Sequence, residues 1–254
     1  MLCVNGTSGL NVAPDLDNHG CTAGYYCPQG TITELPCLSG TYLPYKGRGN
    51  ITDCITTPAG FWSGSASIDF IDKPCAAGYY CLQGSTNSTP LPCPKGTFRS
   101  ITGGADATDC GNCPAGYYCP TIATVTPINC PQGSYCPLGT ISPVYCPKGT
   151  YGPNTNRWDS RSCTLCDAGY FCDKKGMIVL TDDNKCDAGY YCKSGSKRPE
   201  PDDGGITGSP CPTGGYCLRG ASTPSMCAAG NLMLITGTSS SANCYNCPRG
   251  YYCL

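Results

Sequence analysis

Cysteine is the residue type whose number and spacing suggest chemistry in this chain. Of its 254 residues, 25 are cysteines. Three Cys-x-x-Cys junctions have the spacing of zinc knuckles and of redox-active dithiols: Cys110–Cys113, Cys163–Cys166 and Cys244–Cys247. A zinc site needs two knuckles that converge, yet consecutive junctions lie 53 and 81 residues apart. We therefore predict no metal site, no cofactor and no redox catalysis.

His19 is the only histidine in the chain and the only candidate base for Cys–His or Ser–His–Asp catalysis. A lone histidine in a loop is far more often an exposed side chain, so we predict no catalytic residue and no enzyme. Two acidic stretches, Asp182-Asp183-Asn184 and Asp202-Asp203-Gly204, carry oxygen ligands that suit calcium. Neither fits the spacing of an EF-hand loop, and we interpret both as turns.

The composition indicates a secreted disulfide scaffold. Cysteine at this density is typical of such scaffolds, which persist in oxidising compartments. Only 13% of the residues are charged and the formal net charge is −1, so we expect no nucleic-acid partner. No apolar run is long enough to span a membrane. The first residues lack the pattern of a signal peptide, so we interpret the chain as a mature product or an internal fragment.

A short motif, Cys-x-x-Gly-x-aromatic-Cys, organises most of the cysteines. Its eight copies are Cys21–Cys27, Cys75–Cys81, Cys113–Cys119, Cys130–Cys136, Cys166–Cys172, Cys186–Cys192, Cys211–Cys217 and Cys247–Cys253. The glycine three residues after the first cysteine predicts a tight turn with positive φ. The aromatic residues that follow suit a short extended segment.

A long motif pairs cysteines 17 positions apart. Its four copies are Cys37–Cys54, Cys93–Cys110, Cys146–Cys163 and Cys227–Cys244. We expect each to form a β-hairpin with a first strand at Gly-Thr-aromatic and a second strand that ends at the second cysteine. Cys3 is left over, and we predict that it is unpaired or bonded to another chain.

Residues 57–63 favour a disulfide within each motif. They read Thr-Pro-Ala-Gly-Phe-Trp-Ser, so one degenerate copy of the short motif has lost both cysteines. Partners vanish together because a single loss would leave a free thiol. We therefore predict one disulfide inside each copy of both motifs, although interlaced pairing is a second arrangement that the sequence allows.

The motifs recur in a fixed order, which defines larger repeats. We predict the segments 3–56, 57–112, 113–165, 166–246 and 247–254, of which the fourth contains an extra short motif and a polar insertion at 196–210. Each motif is too small to bury a core alone, so disulfides and stacking on neighbours must replace it. The expected fold class is small disulfide-rich repeats of short β-hairpins and turns, stacked into an elongated rod with little or no helix.

The run Cys-Pro-Ala-Gly-Tyr-Tyr-Cys at 113–119, with Cys-Pro-Lys-Gly-Thr and Cys-x-x-Cys-Pro elsewhere, resembles the ephrin-type-receptor-like cysteine-rich repeat. That repeat belongs with the growth-factor-receptor and tumour-necrosis-factor-receptor cysteine-rich modules. The resemblance covers residues 3–254. It implies an extracellular rod, as in receptor ectodomains, adhesion proteins and large surface proteins of protists.

Three Asn-x-Thr sequons, at Asn5, Asn50 and Asn87, predict N-linked glycans on surface turns of a secreted chain. Our first functional hypothesis is a structural segment of an extracellular fibre, coat or flagellar-appendage-like assembly at the cell surface. It predicts head-to-tail self-association, in which the first repeat at Cys3 docks on residues 247–254 of another copy. The second hypothesis is a ligand-binding or spacer ectodomain of a surface receptor, with the insertion at 196–210 as the candidate patch.

Overall fold

The computed structural model describes residues 20–253. Within them the chain forms ten two-stranded antiparallel sheets and five 3-10 turns, and no α-helix occurs in this part of the chain. The predicted fold class of small disulfide-rich repeats built from short hairpins is confirmed. The described residues form two compact bodies: an N-terminal body of 20–113 and 119–127, and a C-terminal body of 114–118 and 128–253.

The N-terminal body contains four two-stranded sheets. Their strands are β1 (Tyr25–Tyr26) with β2 (Leu35–Pro36), β3 (Thr41–Tyr42) with β4 (Ile55–Thr56), β5 (Tyr79–Tyr80) with β6 (Leu91–Pro92), and β7 (Thr97–Phe98) with β8 (Gly111–Asn112). Two 3-10 turns, Ile51–Asp53 and Ala107–Asp109, precede β4 and β8. An isolated bridge between Phe61 and Pro74 takes the place of a sheet in the copy that lacks cysteine.

The C-terminal body contains six two-stranded sheets. Their strands are β9 (Tyr117–Tyr118) with β10 (Ile128–Asn129), β11 (Ser134–Tyr135) with β12 (Val144–Tyr145), β13 (Thr150–Tyr151) with β14 (Thr164–Leu165), β15 (Tyr190–Cys192) with β16 (Gly208–Pro210), β17 (Gly215–Tyr216) with β18 (Ser225–Met226), and β19 (Asn231–Leu232) with β20 (Tyr245–Asn246). The 3-10 turns are Ser160–Ser162, Asp182–Asn184 and Ser241–Asn243. Tyr170 and Lys185 form an isolated antiparallel bridge.

Short and long motifs build the same hairpin. The first strand follows the glycine, and the second strand ends one residue before the opening residue of the next motif: Tyr25 pairs with Pro36, and Thr41 pairs with Thr56. We call the segment from one opening residue to the next a hairpin repeat. Twelve of them begin at residues 21, 37, 57, 75, 93, 113, 130, 146, 166, 186, 211 and 227.

The predicted second strand of the long motif is wrong. The residues before the second cysteine form a 3-10 turn, and the returning strand lies after that cysteine, as at β4 beyond Cys54. Each of the four turns starts with an Asn, Asp or Ser whose side chain accepts a backbone N–H: Asn50, Asp106, Asp159 and Ser240. These side chains compete with strand pairing for the backbone donors and so favour a turn at that place.

The glycine three residues after each opening residue has positive φ, as the sequence predicts; Gly24 has φ 87° and Gly116 has φ 87°. Its N–H donates to the carbonyl six residues after the next opening residue, as from Gly24 to Leu43 at 2.8 Å. Its own carbonyl accepts from the next opening residue, as from Cys37 at 2.9 Å. Within each body, these recurring backbone bonds join successive hairpins.

A second residue with positive φ lies nine or ten positions after every opening residue. Nine of the twelve are glycines, and the other three are Ala66, Ala123 and Asn156. In nine repeats its carbonyl covers the opening glycine two repeats earlier, so that a Cβ built on Gly116 would lie 2.8 Å from the Asn156 carbonyl oxygen. Because a real Cβ never comes so close, only glycine fits beneath that carbonyl.

Half-cystines make up most of the buried interior. Nineteen of them are buried in the described residues, and the other buried large apolar side chains are Leu43, Phe171 and Met233. Leu43 and Met233 stand six residues after their opening cysteine, where the short motif has its second cysteine. The same interior position therefore holds a half-cystine in short motifs and Leu43 or Met233 in two long ones.

Candidate functional site

Twelve disulfides are the dominant chemical feature of the described residues. They join the cysteines within each motif, and their Cα–Cα distances lie between 5.6 and 6.0 Å. This range is ordinary for disulfides. Each disulfide typically adds about 2–4 kcal/mol to the free energy of unfolding, because it restricts the conformations of the unfolded chain. Cys3, predicted to be unpaired or intermolecular, lies outside the described residues.

The cysteines of each Cys-x-x-Cys junction belong to separate disulfides. Cys110 is bonded to Cys93, whereas Cys113 is bonded to Cys119. A sulfur in a disulfide has no thiolate to ligate zinc or attack a substrate. Within residues 20–253, no three His, Cys, Asp or Glu side chains cluster as metal ligands. His19 lies outside the described residues.

Thr57 and Ser63 occupy the two cysteine positions of the degenerate short motif. Both side chains are fully buried, and their hydroxyl groups are hydrogen-bonded to each other. The Ser63 hydroxyl also donates to the Thr41 carbonyl at 3.0 Å. A buried pair of hydroxyls therefore stands where the other short motifs carry a covalent bond.

Aromatic rings pack together in and next to the hairpin repeat that begins at Thr57, which has no cysteine. Phe70 makes edge-to-face contacts with Tyr42 and Phe61, at ring-centroid distances of 5.0 and 5.1 Å. Such pairs add about 0.5–1.5 kcal/mol beyond their burial. These ring contacts stabilise the repeat that has no disulfide. The spacing of residues in the sequence did not predict the contacts.

Two of the three sequons lie in described, exposed turns. The side-chain oxygen of Asn50 accepts from the N–H of Thr52 at 3.2 Å, and that of Asn87 accepts from the N–H of Thr89 at 2.9 Å. Both asparagines therefore use the carbonyl oxygen for the turn, and no protein acceptor within the described residues takes their amide nitrogens. Asn5 lies outside the described residues.

One aspartate of each acidic stretch makes contacts with residues nearby in the sequence. Asp182 forms an ion pair with Lys185 at 2.9 Å, which lowers the pKa of Asp182 and raises that of Lys185. The carboxylate of Asp203 accepts from the Thr207 hydroxyl and backbone, which lowers the pKa of Asp203. Both carboxylates hold turns, as the sequence predicts for these stretches.

The insertion at 196–210 extends one hairpin. It forms the loop and the returning strand of the β15–β16 pair, which has three residues on each strand. Pro201 is buried against Gly208, and the Lys193 ammonium donates to the Gly205 carbonyl at 2.7 Å. Ile206 is 78% exposed, so the anchored loop presents an apolar side chain to solvent.

The last described hairpins have open glycine positions. No atom lies within 4 Å of a Cβ built on Gly230 or Gly250, whereas nine earlier opening glycines face the carbonyl of a later repeat. A hollow of about 410 Å³ lies beside them, lined by Gly214, Met226, Leu232, Met233 and Cys253 among others. The same face that packs against later repeats elsewhere is uncovered in this region.

None of the described residues forms a helix long and apolar enough to cross a membrane. The disulfides and the recurring hairpins define the class: this is a cysteine-rich repeat protein, and its disulfide content indicates an extracellular or secreted chain.

Comparison with known proteins finds no matching family model. The chain is similar to thyroglobulin of Rattus norvegicus, with 36% identity over 80 residues that make up 31% of this chain. It is also similar to cysteine repeat modular protein A of Toxoplasma gondii, with 32% identity over 98 residues that make up 35% of this chain. Each match spans about 3% of the relative's own length.

Proposed function

We propose that this chain is a non-catalytic structural segment of an extracellular fibre, coat or appendage at the cell surface. In this proposal its hairpin repeats belong to the ephrin-type-receptor-like group and continue end to end from one copy to the next. The larger repeats 3–56, 57–112, 113–165, 166–246 and 247–254 are its building blocks. Glycans on Asn5, Asn50 and Asn87 cover the exposed turns.

The recurring contact between an opening glycine and a later carbonyl carries this proposal. Nine opening glycines receive the carbonyl of a hairpin two repeats further on, and no atom lies within 4 Å of a Cβ built on Gly230. In this proposal a hairpin repeat of another copy supplies the same backbone groups and extends the pattern without any new type of contact. A contact that repeats without closing produces a filament. Similarity to a protein named as a modular cysteine-repeat protein supports a role for tandem repeats.

Electron microscopy of the native, unreduced protein tests the proposal. We expect regular fibres, and we expect removal of residues 247–254 to abolish end-to-end assembly. Single particles at high concentration, or normal fibres after this deletion, would contradict the proposal.

A point substitution gives a sharper test of the same contact. Gly230→Ala places a methyl group in the open position and should block fibres, because the incoming carbonyl has no room. Gly204→Ala is the matched control: Gly204 also has positive φ, 69°, and open space around its Cβ position, but it belongs to neither recurring glycine position. Equal assembly of the two variants would contradict docking at Gly230.

The anchored loop of the insertion favours a second candidate function, a ligand-binding or spacer ectodomain of a receptor. Its contacts hold Ile206 exposed without a partner in the described residues, and preorganised loops bind at low entropic cost. We expect a ligand-binding role to be lost in Ile206→Asp and kept in Ile71→Asp, since Ile71 is 72% exposed elsewhere. A pull-down from the native extracellular medium, with both variants, compares the two.

A further inference from the structure

Arg157 is a buried cation without a counter-ion. Its residue is only 5% exposed, and no carboxylate among residues 20–253 forms an ion pair with it. Burial lowers the pKa of its guanidinium. Arg99, whose side chain is 10% exposed, has the Asp109 carboxylate at 3.6 Å. Because a buried charge is costly unless it is paired, Arg157 marks a place where the protein favours an anion.

The guanidinium of Arg157 is held in a fixed orientation. One terminal nitrogen donates to the Asn154 carbonyl at 2.7 Å, and the other donates to the Thr164 hydroxyl at 3.3 Å. The Nε atom of Arg157 and the side-chain oxygen of the adjacent Asn156 are buried without a hydrogen-bond partner in the described residues, and so is the Nε atom of Arg99. Polar groups in this state are rare in folded proteins and call for a partner.

An exposed tryptophan lies next to Arg157 and lines the same hollow. Trp158 is 60% exposed and lines an open hollow of about 210 Å³ together with Arg157, Asn154, Asn156 and Ser162. An aromatic face beside amide and hydroxyl groups suits a ring that is apolar on one side and rich in hydroxyls at its edge. The volume is below the roughly 300–1,000 Å³ of pockets for drug-sized ligands, so a single ring fits.

We propose that this hollow is a binding site for an acidic sugar. The pyranose ring lies on the indole of Trp158, its carboxylate is bound by the guanidinium of Arg157, and its hydroxyls meet Asn154, Asn156 and Ser162. A charge-assisted contact to a fixed guanidinium supplies the preference for the acid over the neutral sugar. The chain carries a net charge of −1, so a single localised cation, rather than a general basic surface, makes this choice.

Tryptophan fluorescence tests the proposal in the oxidised, full-length chain. The chain has two tryptophans, and a Trp62→Phe background leaves Trp158 as the only reporter. Methyl β-glucuronide is the probe and methyl β-glucoside is its neutral match. We expect a saturable change with the glucuronide and an affinity lower by about tenfold or more for the glucoside. No saturable change, or equal affinity for the two sugars, would overturn the proposal.

Two variants and a control separate the site from general charge attraction. Arg157→Gln should erase the preference for the acid, and Trp158→Ala, followed by NMR of the sugar, should abolish binding of both probes. Arg161→Gln removes a neighbouring cation whose side chain is 93% exposed, and it should change affinity by less than about twofold. Should Arg157→Gln fail to fold, Trp158→Ala decides, because its exposed side chain is dispensable for packing. Binding that survives Trp158→Ala, or that falls equally in Arg161→Gln, refutes the site.

Discussion

Ala66 and Ala123 have a backbone conformation that favours glycine. Their φ angles are 56° and 55°, and nine equivalent positions in the other hairpin repeats carry glycine. The left-handed region costs a residue with a Cβ roughly 1–2 kcal/mol. Ala66 and Ala123 keep the left-handed conformation despite this cost, because their carbonyls cover the opening glycines Gly24 and Gly78.

We expect Ala66→Gly and Ala123→Gly each to raise the free energy of unfolding by about 0.5–1 kcal/mol. The relief of left-handed strain exceeds the entropy that glycine adds to the unfolded chain. Chemical denaturation of the oxidised protein measures the effect. Ala115→Gly is the matched control, since Ala115 is an exposed alanine without positive φ, and it should destabilise. A loss of stability in all three variants would contradict the argument.

The environment of Asp109 predicts that the N-terminal body loses stability at acidic pH. Its carboxylate accepts from the backbone of Ala105 at 2.6 Å and of Asp106 at 3.3 Å, and Arg99 lies beside it; together these hold its pKa below the ordinary value of 3.8. A carboxyl with a lower pKa when folded stabilises the fold above its unfolded pKa. That contribution disappears as the pH falls through the folded pKa.

The wild type should therefore lose more stability than Asp109→Asn between neutral pH and a pH below 3.8. The pH dependence of the denaturation midpoint measures this difference, and the chemical shift of the Asp109 carboxyl carbon reports its pKa directly. Asp53→Asn is a useful comparison, because Asp53 ends the equivalent turn without an arginine ion pair. A folded pKa at or above 3.8 for Asp109 would refute the prediction.

At the scale of the element, the hairpin repeat at 57–74 shows what the disulfide does in the others. Its two interior positions hold Thr57 and Ser63, and the equivalent pairs in short motifs are disulfides with Cα–Cα distances of 5.7–6.0 Å. The backbone pattern is retained, since the Gly60 N–H still donates to the Cys81 carbonyl at 2.8 Å. The hairpin therefore forms without a staple when aromatic rings pack against it.

The double substitution Thr57→Cys with Ser63→Cys should form a thirteenth disulfide and raise the free energy of unfolding by about 2 kcal/mol. The gain arises because the new bond limits the unfolded chain over a short loop. Counting free thiols shows whether the bond forms, and denaturation gives its effect. Thr57→Cys alone should destabilise, because it leaves Ser63 without its buried hydroxyl partner. A double variant with two more free thiols than the wild type would show that the repeat has a different local geometry.

At the scale of the whole molecule, the described residues form successive hairpins, and each hairpin is held by contacts between residues that are close in sequence. Every disulfide among residues 20–253 has a sequence separation of 6 or 17, and the recurring hydrogen bonds join each hairpin to the next within its body. Local pairing of this kind allows each hairpin to close before distant parts of the chain meet.

We expect proteolysis of the unreduced protein, followed by mass spectrometry, to yield disulfide-linked peptides only from within motifs. Alkylation before proteolysis prevents exchange and provides the control. Peptides that link one motif to another, such as Cys54 with Cys75, would establish interlaced pairing instead. The same map shows whether Cys3 carries a free thiol or a bond to a second copy.

By itself, the sequence determined the hairpin class and the places of the turns. Cysteine spacing and the glycine three residues later are local signals, and both the positive φ of those glycines and the short antiparallel strands agree with them. The second strand of the long motif could not be placed correctly. Its side-chain caps at Asn50 and Asp106 convert a segment with strand-like composition into a 3-10 turn.

Only the tertiary structure decided which groups meet between repeats. The carbonyl that covers Gly116 comes from Asn156, and the ring of Tyr42 packs on Phe70 of the following repeat. Neither relation follows from a motif, because each depends on how hairpins of unequal length stack. Spacing within a hairpin is fixed by covalent geometry over a few residues, whereas contacts between hairpins depend on the summed rotation of every turn that lies between them.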